Sequence, residues 1–172
     1  MQVLGVVGWS GAGKTTLLER LLPELRRAGL TVSTVKHAHA GFDIDRPGKD
    51  SHRHRIAGAQ EVLVAGAGRW ALLHEVDGPE PALPVLLARL APVDLVLVEG
   101  FKAHPYPKLE VYRPALGKPP IWPRQRDVLA VATDAPALPE CDRSLLPLGD
   151  AAAVAAWVRR AIAPYARDVP KA

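Results

Sequence analysis

Residues Gly8-Trp9-Ser10-Gly11-Ala12-Gly13-Lys14-Thr15 read G-x-x-x-x-G-K-T, and their flanks decide the fold. Val3–Val7 before them is a short apolar run of strand character. After them Leu17, Leu18, Leu21, Leu22 and Leu25 recur at helical spacing. A strand passing through a Gly-rich loop into a helix is the setting in which this spacing cradles phosphate. The glycines let the backbone wrap an anion with its N–H groups turned inward, and the helix N-terminus adds partial positive charge. Gly8, Ser10, Gly11, Ala12 and Gly13 form the cradle, and Thr16 closes it. Lys14 is placed to reach the β- and γ-phosphates and the Thr15 hydroxyl to ligate Mg²⁺. The expectation is a nucleoside triphosphate bound with Mg²⁺.

Working outward, the first helix is expected over residues 14–28, ending at Gly29, with Pro23 inside it as a kink. A second strand follows over 30–36, then a polar loop over 41–50 and a short helix over 51–59. Residues 61–65 and 69–76 read as two strands joined by Gly66-Ala67-Gly68. A helix over 82–90, strands over 94–99, 108–112 and 128–133, and a closing helix over 151–163 complete the series. Helices alternating with apolar strands predict an α/β chain. The fold expected is a three-layer P-loop NTPase fold with a mostly parallel central sheet, as a single domain over residues 1–172.

Ligands of such sheets gather at the carboxyl ends of the strands. That rule collects the phosphate loop, Lys36-His37, Glu99-Gly100 and Thr133-Asp134 on one rim. Val93–Glu99 is an apolar strand closed by an acid, the pattern of a carboxylate that holds Mg²⁺ opposite Thr15. Glu is longer than the usual Asp, so contact through water, or with the attacking water, is equally open. Asp45 and Asp50, in the acidic loop after the second strand, are candidates to position Mg²⁺ or water. Asp50 or Ser51 equally suits a helix N-cap, and Asp43 a turn. A carboxylate at Asp134 suits the N1–H and 2-amino donors of guanine, which adenine lacks; a turn residue ahead of Pro136 is the plainer reading. Lys36, His37 and Lys102 make a basic rim. His37, His39, His52 and His54 lack the i,i+4 spacing of helical metal pairs. Residues 100–126 are basic and Pro-rich, with Glu110 as their one acid, and read as a docking loop or a solvated connection.

Composition narrows the class. One cysteine, Cys141, excludes an intramolecular disulfide and a cysteine zinc cluster. No basic, apolar leader opens the chain and no apolar run reaches the length of a membrane span, so a cytoplasmic protein without membrane contact is expected. The net charge of +4 permits nucleic-acid binding, but the charge is dispersed and no readout motif accompanies it. Phosphate ligands account for it, and no nucleic-acid partner is expected.

The Gly-x-Ser-Gly-x-Gly-Lys-Thr-Thr start, Val35-Lys36-His37, the block Phe42-Asp43-x-Asp45-x-Pro47-Gly48-Lys49-Asp50-Ser51, Arg53 with Ala57-Gly58-Ala59, and Val98-Glu99-Gly100-Phe101-Lys102 together resemble the MobB family of molybdopterin-guanine dinucleotide biosynthesis proteins. The likeness runs from Gly8 to about Thr133, and the D-x-D-x-P-G-K-D-S block is more specific than the phosphate loop. Ala40 departs from it, where the family pattern would place another His. The resemblance implies a GTP-binding, weakly hydrolysing homodimer working beside MobA, the guanylyltransferase that joins GMP to molybdopterin. The basic rim would then meet the pterin phosphate or MobA. Catalysis would be slow, since no arginine finger or water-positioning Gln is identifiable. A small-molecule kinase on the same phosphate loop is the alternative.

Overall fold

The computed structural model describes residues 1–38 and 42–162. They contain β1 (Gln2–Val7), α1 (Lys14–Arg27), β2 (Val32–Lys36), α2 (Asp50–Ile56), β3 (Glu61–Gly66), β4 (Arg69–His74), α3 (Leu83–Leu87), β5 (Leu95–Glu99), β6 (Lys108–Tyr112), β7 (Val128–Thr133), β8 (Ser144–Pro147) and α4 (Ala151–Ile162). The chain divides into two compact units. One is Met1–His37 together with the chain from Ala88 onward; the other is Ala38–Leu87.

The first unit is a six-stranded sheet in the order β2-β5-β1-β6-β7-β8, parallel at every pairing. Parallel strands need both faces covered, which is why these strands are nearly continuous in apolar residues. Alternation sends Leu4, Val6, Leu95, Leu97, Leu109, Val111, Ala130 and Ala132 to one face. There they meet the stripe Leu17, Leu18, Leu21 and Leu25 of α1 and Val154, Trp157 and Val158 of α4. Val7, Val128 and Val131 face the other way and lie under Trp122, from the Pro-rich segment between β6 and β7. The segment that reads as a docking loop or solvated connection is therefore partly a covering layer.

Two buried charges on β6 hold that layer. Glu110 accepts the backbone N–H groups of Ile121 (2.9 Å) and Trp122 (2.9 Å). Burial pushes its carboxyl above the usual range, opposed by those two hydrogen bonds and by the charge of Lys102. The Lys108 ammonium is buried against the Asp127 carboxylate and donates to the carbonyls of His104 and Tyr106. At the amino ends of β5 and β2, Asp94 Oδ2 takes both the N–H (2.7 Å) and the hydroxyl (2.6 Å) of Thr31, clamping β5 to β2.

The second unit is built around the antiparallel hairpin β3–β4, a separate two-stranded sheet. Val62 and its cross-strand partner Leu73 lie on one face, where Val62 is buried. Leu63, Leu72 and Trp70 share the other face and are exposed. Arg55 of α2 gathers the acidic loop, pairing with Asp43 at 2.9 Å, Glu75 at 3.5 Å and Asp45 at 3.8 Å.

Three local readings change. The helix expected over 82–90 is only Leu83–Leu87, with Leu83 and Leu87 buried one turn apart. The N-cap of α2 is Lys49, without a side-chain cap; the Ser51 hydroxyl donates to Asp45 Oδ1 (2.7 Å) instead. β8 is not apparent in the sequence: four residues closed by Pro147, a residue tolerated on an edge strand.

Candidate nucleotide site

The strand order builds the site. β5 lies between β1 and β2, with Val6 and Lys36 both in register with Glu99. The loop that leaves β1 therefore emerges beside the acid that ends β5. At Gly8 the backbone has φ 147°, and a Cβ there would stand 2.4 Å from the Val111 carbonyl oxygen. Only glycine lets the loop turn off β1 so close to β6. Gly13, at the head of α1, completes the turn into the helix.

Lys14 folds back across the loop and donates to the carbonyls of Gly8 and Trp9, both at 3.1 Å. Partial burial holds its ammonium below the usual lysine range, helped by the like charges of Lys102 and Lys36 and opposed by Glu99. The Thr15 hydroxyl stands 3.4 Å from Glu99 Oε1 and 3.5 Å from Oε2. A hydroxyl and a carboxylate facing one another at that spacing, with an ammonium alongside, are a donor set suited to a hard divalent cation. No cluster of three or more His, Cys, Asp or Glu side chains among the described residues makes a metal site by itself. A cation here would need ligand oxygens from the phosphates it neutralises.

The turn after Glu99 is strained. Gly100 has φ 102°, and a Cβ on it would lie 2.5 Å from His37 Cβ. Phe101 is the non-glycine with positive φ (45°) among the described residues, and its ring stacks on His37 at 4.4 Å. Strain of this kind persists where surrounding structure over-determines it, commonly at functional sites. It delivers Lys102 onto the Trp9 ring, 4.9 Å from the centroid, while Trp9 Nε1 donates to the Pro119 carbonyl (2.7 Å). Lys36 and His37 stand on the same rim, at the end of β2.

Asp134, after β7, forms an ion pair with Arg113 Nε at 3.4 Å, and the Arg113 guanidinium also passes over Gly13. These residues line a hollow of about 190 Å³ with Thr16, Arg20 and Gly149. In the sequence Arg113 is one of many basic residues in the stretch 100–126, and Gly149 carries no signal because β8, which leads to it, is not apparent there. Asp45 and Asp50 belong to the second unit. Asp45 ties its own loop, accepting Ser51 and the Arg46 N–H, while Asp50 is largely exposed beside Arg53. His39 lies outside the described residues.

Comparison with known proteins fits this arrangement. A family model described as MobB, molybdopterin guanine dinucleotide synthesis protein B, matches residues 3–134. The chain is 45% identical over 147 residues to the molybdopterin-guanine dinucleotide biosynthesis adapter protein of Haemophilus influenzae, covering 84% of this chain and 80% of that one. It is 41% identical over 160 residues to the Escherichia coli protein of the same description, covering 91% and 90%. Its fold is similar to the crystal structure of Bacillus subtilis MobB, with a TM-score of 0.73 and 26% identity over 93% of this chain and 98% of that one. With a phosphate-loop sheet, the D-x-D-x-P-G-K-D-S block and these likenesses in agreement, the chain belongs to the MobB family.

Proposed function

We propose that this protein is an adapter in molybdopterin-guanine dinucleotide biosynthesis that binds GTP with Mg²⁺, hydrolyses it slowly and supports a MobA-like guanylyltransferase. The observation that carries the nucleotide reading is the Thr15–Glu99 pair beside Lys14, on a loop that turns through glycine. Thr15 and Glu99 would hold the cation, which when bound neutralises charge between the phosphates. Lys14 would exchange its two carbonyl partners for phosphate oxygens. Asp134 would read the guanine edge from the hollow beside Arg113. Slow turnover is expected because the described site presents lysines at the phosphates and the described residues bring no arginine to Glu99. Delivery or scaffolding then outweighs hydrolysis as the physiological task.

A homodimer belongs to the same reading. Leu63, Trp70 and Leu72 are 61%, 68% and 42% exposed on one face of the hairpin. A two-stranded sheet with an open apolar face is marginal in water, and a second copy would cover it.

Calorimetric titration with GTP and with ATP, each with Mg²⁺, tests the proposal. Tight GTP binding, weak ATP binding, loss in Lys14→Ala and relaxed discrimination in Asp134→Asn support it. Equal or tighter ATP binding would overturn the guanine assignment and favour a small-molecule kinase.

A further inference from the structure

A cation stands beside the phosphate loop that the loop's own motif does not supply. Glu99 is followed by Gly100 and Phe101, both at positive φ, and the next residue is Lys102. His37 fixes that turn from outside: its Cβ leaves no room for a Cβ on Gly100, and its ring stacks on Phe101. The turn sets the exposed Lys102 side chain on the loop, with Nζ 4.9 Å from the centroid of the Trp9 ring. Trp9 is the residue after Gly8, and its carbonyl accepts from Lys14. Its indole is pinned in place by the Nε1–H bond to the Pro119 carbonyl.

Among the described residues, no hydrogen bond or ion pair engages the Lys102 ammonium; the ring face is its contact. The like charges of Lys102 and Lys36 add to burial in holding Lys14 below the usual lysine range, and Glu99 opposes them. Two ammonium groups thus crowd a third, with one carboxylate against them, and an anion placed between relieves the repulsion. The relative strengths say where Lys102 goes. A cation on an exposed ring face shifts an equilibrium by roughly twofold to fivefold. A charge-assisted hydrogen bond to phosphate shifts it by roughly tenfold to a hundredfold.

The strand order says which phosphate it meets. The hollow of Arg113, Asp134 and Gly149 lies on the β6–β7–β8 side of β1. Lys102 follows β5, on the other side of β1. A nucleotide laid across the loop with its base in the hollow has its terminal phosphate on the Lys102 side. We propose that Lys102 is the residue that tells a triphosphate from a diphosphate, leaving the Trp9 ring to bind the γ-phosphate and resting on the ring when a diphosphate is bound. This rests on the nucleotide reading above and assigns within it a ligand from outside the phosphate-loop motif.

The test is calorimetric titration of the full chain with guanosine β,γ-imidotriphosphate and with GDP, each with Mg²⁺. Lys102→Met should weaken the imidotriphosphate about tenfold and leave GDP within about twofold. Lys102→Arg keeps the charge and should restore most of the loss. Arg159→Met, which removes an exposed charge from α4, should change neither. Indole emission should shift with the imidotriphosphate and not with GDP, and the shift should disappear in Trp9→Phe and in Lys102→Met. The proposal is overturned if Lys102→Met binds both nucleotides as wild type does, if it loses both equally, or if the emission shift survives in it. Any of these results, with wild type binding both nucleotides, removes the Lys102 assignment and leaves the nucleotide reading standing; wild type that binds neither removes both.

Discussion

The two units answer water in opposite ways. In the first, β1, β5 and β7 are closed on both faces, and even the charges that enter the core are partnered: Glu110 by two backbone N–H groups, Lys108 by Asp127 and two carbonyls. In the second, a hairpin of two strands leaves Leu63, Trp70 and Leu72 in solvent. The first arrangement is what a rigid phosphate site requires, since a cradle is useful only if its donors are already in place. The second is what a surface awaiting partners looks like.

The largest expected effect lies in the closed core. Leu97→Ala removes a fully buried side chain between α1, α4 and the sheet. It should lower the unfolding free energy by about 2–5 kcal/mol in urea titrations. A loss under about 1 kcal/mol would mean that this core relaxes far more easily than its packing implies.

Next is the phosphate loop. Lys14→Ala removes about one or two charge-assisted contacts, each worth about 1.5–3 kcal/mol. GTP affinity should fall by at least roughly tenfold. The thermal midpoint should stay near wild type, because the Lys14 bonds to Gly8 and Trp9 are made within its own loop and neither is fully buried. A large drop in stability would show that the lysine is a strut and not a ligand.

Glu110 gives a pH signature. Burial raises its carboxyl above the ordinary value of 4.5 in the folded state. The folded state therefore binds the proton more tightly, so this group's contribution is fully present below pH 4.5. It is lost as pH rises through the raised folded value. Wild type should lose stability relative to Glu110→Gln across that interval, read from urea midpoints at a series of pH values. Parallel curves would mean that the two N–H groups offset the burial completely.

The smallest effect is the sharpest contrast. Leu72→Ala on the open hairpin face should change the stability of the monomer by about 0.5 kcal/mol or less. Backbone amides of β3 and β4 should exchange with deuterium much faster than those of β1 and β5. Slow hairpin exchange that vanishes on dilution would identify a second copy as the cover.

Much of the first unit is legible in the chain. The phosphate loop announces itself because its glycines, lysine and threonine are contiguous and flanked by a strand and a leucine stripe. Glu99 is legible because an apolar run closed by an acid has few other uses. Other features escape for physical reasons. β8 is too short and too ordinary in composition to stand out from a loop. The buried Glu110 looks like one acid in a basic, Pro-rich stretch until the N–H groups of Ile121 and Trp122 arrive from the chain that follows it. Asp45 reads as a candidate to position metal or water; that its Oδ1 accepts from both the Ser51 hydroxyl and the Arg46 N–H, with Arg55 beside its Oδ2, is visible only in the fold.

Elements whose cause is local are written in the chain. Hydrophobic period sets strand and helix, glycine sets the turn of the loop, and a lysine–threonine pair at the head of a helix marks the candidate phosphate site. Which distant groups meet is a product of the fold. Trp9 reaches Pro119 across 110 residues, Thr15 faces Glu99 across 84, and Arg113 bridges Gly13 and Asp134. Those meetings follow from the strand order β2-β5-β1-β6-β7-β8, which no local pattern specifies. The order is set by the burial of whole strand faces against α1 and α4, a sum over the entire chain and not a property of any segment.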